Sequence, residues 1–163
     1  MDLKEFCNSL SKRDQIKTGI QLARLALPVW QNYAEDDIDY TDSVVGMHHS
    51  IRHDLLKRAI LELEDVSYTT AFQERGDITD LLKSIYDEFS DLVISLQDDD
   101  LRFPQPVATI FYAVYNLVGT IIPGEFDSSD NPRIYVSFNQ SIETIVSEGI
   151  LTMDEVAEKI GWR

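Results

Sequence analysis

The 163-residue chain is predicted to fold as one all-α domain spanning residues 1–163, a helical bundle or irregular array of about seven helices. Its composition is typical of globular proteins, with 44% hydrophobic and 26% charged residues. Apolar residues recur at helical spacing along most of the chain. The few glycines and prolines fall mostly where helices should begin or end.

The first third is predicted to hold a short helix over residues 2–8 and a longer one that starts at Ser11. A serine there can cap the helix, and Asp14 suits the positive end of its dipole. Pro28 is expected to kink or restart this helix because proline lacks the amide and clashes with the preceding turn. An acidic loop is predicted over residues 35–42.

A long helix is then predicted from about Ser43 to Asp65, with Val44 and Ile51 on its apolar face. A short helix follows over residues 68–74 and ends at Gly76.

The helix predicted over residues 78–97 has the clearest pattern. Its apolar residues, which include Leu81, share an arc of about 120° that would face the core. Four aspartates occupy the opposite side, within about 40° of each other. We call them the acidic stripe, and they are Asp80, Asp87, Asp91 and Asp98. Ile94 is predicted to be exposed beside them.

The helix predicted over residues 106–121 is apolar nearly all round, which is typical of a central, buried helix. Pro132 suits the first turn of another helix, which ends at Gly149, although a strand over 134–138 is an alternative. Thr152 and Glu155 form a capping box that opens a last helix, closing near Ile160.

The chain carries 29 acidic and 14 basic residues, a net charge of −15. Such a surface repels nucleic acid and anionic lipid and attracts basic partners. We therefore expect neither a nucleic-acid nor a membrane partner. The alternative is that the acidity serves only to keep the protein in solution.

The chain starts without the basic and apolar segments of a signal peptide. Its longest apolar stretch is interrupted and shorter than the roughly 20 residues that a membrane span needs. The single cysteine, Cys7, lies in a segment expected to be frayed and rules out an internal disulfide. Together these features predict a cytoplasmic protein.

Enzymatic chemistry has one candidate, the group His48, His49 and His53. On the predicted helix, His49 and His53 are spaced to share a metal ion, which would suit a metal-dependent hydrolase. The alternatives are a half-buried polar patch, in which Arg52 pairs with an acid of another helix, or a polar partner surface. No nucleophile elbow or phosphate-binding glycine loop is visible, so we expect neither catalysis nor a cofactor.

The segment Gln21-Leu22-Ala23-Arg24-Leu25-Ala26-Leu27-Pro28-Val29-Trp30-Gln31-Asn32-Tyr33, with the acids after it, resembles the start of certain all-helical immunity proteins. Those proteins belong to bacterial polymorphic-toxin and contact-dependent growth-inhibition systems. The apolar segment Val107-Ala108-Thr109-Ile110-Phe111-Tyr112-Ala113-Val114-Tyr115 is similar to a later helix of that family.

This resemblance implies a non-catalytic cytoplasmic protein that binds and blocks a cognate toxin domain, often a nuclease with a basic surface. Partner-binding residues are then expected in the acidic loop and the acidic stripe, with three tyrosines as anchors. They are Tyr33, Glu35, Asp36, Asp37, Asp39, Tyr40, Asp42, Asp80, Tyr86, Asp87, Asp91 and Asp98. The alternative is a helical adaptor or regulatory module with a non-toxin partner.

Overall fold

A computed structural model describes residues 1–67 and 80–163, and seven helices and one two-stranded sheet lie in these two ranges. In chain order they are α1 (Leu3–Ser9), α2 (Lys12–Tyr33), β1 (Ile38–Thr41), β2 (His48–Ile51), α3 (Leu55–Ser67), α4 (Asp80–Gln97), α5 (Gln105–Gly119), α6 (Arg133–Ser147) and α7 (Met153–Ile160). The short helix predicted over 68–74, its Gly76 cap and the first two residues of the helix predicted over 78–97 lie outside the described residues.

Two predicted helix starts are confirmed by their caps. The Ser11 hydroxyl accepts a hydrogen bond from the amide of Asp14, 3.1 Å away, at the start of α2. Thr152 and Glu155 form the reciprocal capping box that opens α7. These bonds satisfy amides that the first helical turn leaves without a partner.

Helix α5 is the buried centre of the fold, as its apolar sequence predicted. It contacts α2, α3, α4 and α6. Eight of its 15 residues are buried, and Ile110, Phe111 and Leu117 are fully so. Helix α6 begins after Pro132 as predicted, and the region 134–138 is helical, not a strand.

The helix predicted from Ser43 to Asp65 is wrong over its first half. Strands β1 and β2 form an antiparallel hairpin, with Ile38 opposite Ile51, and α3 begins only at Leu55. Part of the predicted acidic loop is therefore strand. The turn is held by the Asp42 carboxylate, which competes with helical bonding by accepting backbone hydrogen bonds. Gly46, at φ 69°, supplies the left-handed turn residue.

The restart at Pro28 and two further expectations need correction. Helix α2 continues through the exposed Pro28 to Tyr33 without a restart. Cys7 is fully buried, because α1 packs on α6 instead of fraying, and burial raises the pKa of its thiol to about 11. Leu81, assigned to the core face of its helix, is exposed.

Within residues 1–67 and 80–163, no helix combines the length and apolar character needed to cross a membrane.

The close approach of α2 to α5 and α6 depends on Gly19. A methyl group added there would lie 2.5 Å from Leu117 Cδ1 and 3.5 Å from the ring of Phe138. Both of these side chains are fully buried, so any shift that accommodates the added group must displace core neighbours. We therefore expect Gly19→Val to lower the free energy of unfolding by about 2 kcal/mol through overpacking.

Urea unfolding would measure this change. Gln31→Val, on an exposed position of the same helix, is the matched control and should change the free energy by less than about 0.5 kcal/mol. Equal effects of the two substitutions would contradict the packing described for α2.

Candidate partner-binding groove

An acidic groove of about 460 Å³ lies between the hairpin and the C-terminal half of α4. Its lining contains four aspartates and no lysine or arginine, so its charge favours cationic ligands. The lining residues are Tyr40, Asp42, Val44, Val45, His49, Asp91, Ile94, Ser95, Asp98 and Asp100. The groove thus joins part of the predicted acidic loop to part of the acidic stripe.

The hairpin is attached by one hydrogen bond to α4 and by another to the segment that follows this helix. The hydroxyl oxygens of Tyr40 and Ser95 lie 2.9 Å apart. The amide of Ser43 donates to a carboxylate oxygen of Asp100 over 3.2 Å. Because Tyr40 also stacks on His49, with ring centroids 5.0 Å apart, it connects both strands to the helix.

Asp42 shapes the hairpin end of the groove. Its Oδ1 accepts hydrogen bonds from the amides of Val44 and Val45, at 3.1 and 2.8 Å, and its Oδ2 lies 3.0 Å from His49 Nε2. The bond from Val45, followed by that with His49, lowers the pKa of Asp42 below its ordinary value of 3.8. Asp42 therefore holds the turn and keeps its negative charge at neutral pH.

All three histidines of the chain lie in or directly after β2 and contact separate carboxylates, so they do not share a helix as predicted. His48 contacts Asp39 at 3.4 Å, His49 contacts Asp42, and His53 Nδ1 lies 2.7 Å from Asp37. Among the described residues, no three His, Cys, Asp or Glu side chains are placed to hold a metal ion. His49 is half-buried, but His48 and His53 are exposed, so the half-buried polar patch that the sequence also suggested is not formed as expected.

The predicted ion pair between Arg52 and an acid of another helix is not formed among the described residues, but a different arginine, Arg58 of α3, makes such a pair. Arg58 contacts Glu88 of α4 at 3.3 Å, whereas Arg52 is exposed. This pair holds α3 beside α4.

The base of the hairpin is closed by Asp37 and Trp30. Asp37 accepts a hydrogen bond from the amide of His53 at 2.9 Å, and this bond, followed by that with the His53 ring, lowers the pKa of Asp37. The carbonyl of His53 accepts from the indole N–H of the fully buried Trp30 at 2.8 Å. The hairpin is thus connected to the core at its exit.

Helix α4 forms the other wall of the groove. Asp91, Ile94 and Asp98 are three and four residues apart, which places them on one side of the helix, and Ser95, next to Ile94, points toward the hairpin that it bonds. Ile94 is 57% exposed, as predicted. Neither the Asp91 nor the Asp98 carboxylate makes a hydrogen bond or ion pair with the described residues, so both can receive an external cation.

Several predicted site residues lie outside the groove lining. Tyr33, Glu35 and Asp36 are exposed at and just after the end of α2, and Asp80 and Asp87 are exposed on earlier turns of α4. Asp37 and Asp39 lie just before and within β1, where they contact histidines.

Tyr86 cannot serve as the exposed anchor that the sequence suggested. It is only 3% exposed, its ring stacks on Tyr115, and its hydroxyl accepts a hydrogen bond from Arg133 at 2.9 Å. The guanidinium of Arg133 has room there because Gly119 has no side chain to meet it.

Sequence reasoning missed Val44, Val45, His49, Ser95 and Asp100 as groove residues. A signal for the first two was present, since Asp42 and Gly46, both residue types that favour turns, bracket them in the sequence. The contribution of Asp100 and Ser95 depends on tertiary packing of the hairpin, which no local pattern contains.

Comparisons with protein-family models, with curated proteins and with solved structures return no match for this chain.

Acid should weaken the hairpin. Folding lowers the pKa values of Asp37 and Asp42 below their ordinary value of 3.8. The two carboxylates therefore contribute their full stabilisation at pH values above 3.8, and this stabilisation is lost as the pH falls through the lowered pKa values. Asp37→Asn/Asp42→Asn keeps acceptor oxygens but removes both titrations. We expect this variant to lose less stability than the unsubstituted protein when pH falls from about 5 to below 3, as measured by urea unfolding followed by tryptophan fluorescence.

Glu35→Gln/Asp36→Asn is the matched control, because it removes the same charge from exposed residues that make no described hydrogen bond. It should preserve the full acid-induced loss. Identical pH profiles for the two double variants would contradict the role of the Asp37 and Asp42 bonds.

A double-mutant cycle tests the attachment of the hairpin to α4. Tyr40→Phe and Ser95→Ala should be coupled by about 1 kcal/mol, the typical net contribution of one hydrogen bond. Tyr33→Phe, which removes a hydroxyl without a described partner, should leave the urea midpoint unchanged. Strict additivity of the Tyr40 and Ser95 substitutions would show that the hydroxyls do not interact.

Proposed function

We propose that this chain is a non-catalytic cytoplasmic immunity protein that binds a cognate bacterial toxin domain and neutralises it. The observation that carries the proposal is the groove between the hairpin and α4, whose lining holds Asp42, Asp91, Asp98 and Asp100 and no basic residue. The resemblance of residues 21–33 and 107–115 to all-helical immunity proteins supplies the class of partner.

The chemistry of the groove supports a basic protein partner. At a net charge of −15, the chain repels polyanions at short range, so a nucleic acid is disfavoured as the direct ligand. Opposite charge speeds the encounter with a basic surface and selects against acidic partners. A toxin nuclease has such a surface, because it must itself approach a polyanion.

Neutralisation is most directly tested by co-expression in bacteria with toxin domains from the same genome, beginning with any domain whose gene adjoins this one. The unsubstituted chain should restore growth against one of them. Asp91→Lys/Asp98→Lys should abolish rescue, because two carboxylates that are free to pair with the partner become cations. Failure of the unsubstituted chain to rescue growth against every such domain would contradict the proposal.

Glu143→Lys/Glu158→Lys is the matched control, since it changes the net charge equally at exposed positions of α6 and α7. It should retain rescue. In solution, the complex with the rescued toxin domain should weaken as salt is raised, because ions screen exposed charges.

A further inference from the structure

The groove has an apolar component that its acidity does not explain. Val44 and Val45, at the hairpin turn, are 81% and 71% exposed, and Ile94 across the groove is 57% exposed. Single exposed apolar residues are common on protein surfaces, but several lining one recess are typical of an interaction site.

The four carboxylates of the groove fall into two kinds. Asp42 and Asp100 accept hydrogen bonds from backbone amides of the hairpin turn. Asp91 and Asp98 make no such bond within the described residues, and they lie three residues before and four residues after Ile94. Because this spacing keeps all three on one helix face, Ile94 stands between two available carboxylates.

We infer that the groove receives a partner segment in which one aliphatic or aromatic side chain is flanked on both sides by lysine or arginine. The apolar side chain packs against Val44, Val45 and Ile94, and the two cations pair with Asp91 and Asp98. This inference rests on the proposed function for the identity of the partner and adds the chemistry by which the partner is recognised.

Other occupants fit the groove less well. A second copy of the chain would bring another net charge of −15 to an acidic surface. A metal ion needs converging ligands, and no three acidic, histidine or cysteine side chains among the described residues are placed to hold one. A purely cationic segment would leave the three apolar side chains exposed to water.

Peptide titration followed by NMR tests the inference on the intact chain. The probes are three short peptides that are identical except for a central tripeptide, which is Lys-Leu-Lys, Lys-Gly-Lys or Ser-Leu-Ser. The Lys-Leu-Lys peptide should shift the signals of Val44, Val45 and Ile94. It should bind roughly tenfold more tightly than either other peptide, because each lacks one component of the recognition.

Variants of exposed residues complete the test without threatening the fold. Val44→Ser and Ile94→Ser should each reduce the preference for Lys-Leu-Lys over Lys-Gly-Lys. Leu61→Ser removes a comparably exposed apolar side chain from α3, outside the groove lining, and should retain the preference. Equal binding of the first two peptides, or shifts confined to residues outside the groove, would overturn the inference.

The two proposals fail separately. If the Lys-Leu-Lys peptide is preferred and no toxin domain is neutralised, the recognition chemistry stands and the proposed function falls. If a toxin domain is neutralised and the peptides bind equally, the proposed function stands and the apolar component of recognition falls.

Discussion

Burial of α5 is the constraint on which the rest of this fold depends. A helix with almost no polar face must be covered on every side, and α2, α3, α4 and α6 provide that cover. Trp30 extends the same core toward the hairpin, because its ring contacts Phe103 and Phe111 while its N–H bonds the carbonyl of His53. The hairpin is therefore positioned by the core although it lies largely outside it.

The groove follows from this arrangement. With the core face of α4 turned toward α5, its later turns leave Asp91, Ile94 and Asp98 on the surface, where the hairpin meets them through Tyr40 and Ser95. Charges that are about 50 residues apart in the chain thereby line one recess. Part of the negative charge of the protein is therefore concentrated in one groove, which also contains exposed apolar side chains.

The helices were predictable because their signals are local. Caps at Ser11 and Thr152 and the apolar sequence of α5 each act within a few residues of the chain. The hairpin was not predicted, because the apolar spacing of Val44 and Ile51 imitates a helix, and the decisive bonds of Asp42 compete with that pattern. The burial of Tyr86 follows the helical spacing of Leu82, Phe89 and Val93 and could have been predicted. The attachment of Tyr40 to Ser95 arises from tertiary packing, which helical periodicity does not report.

Hydrogen–deuterium exchange of the chain, alone and in complex with any toxin domain against which it restores growth, tests most directly whether the groove is the proposed partner surface. The account predicts slower exchange over residues 38–51 and 91–100 in the complex, with α7 unchanged. Protection confined to the end of α2 or to the first turns of α4, with the hairpin unaffected, would contradict it.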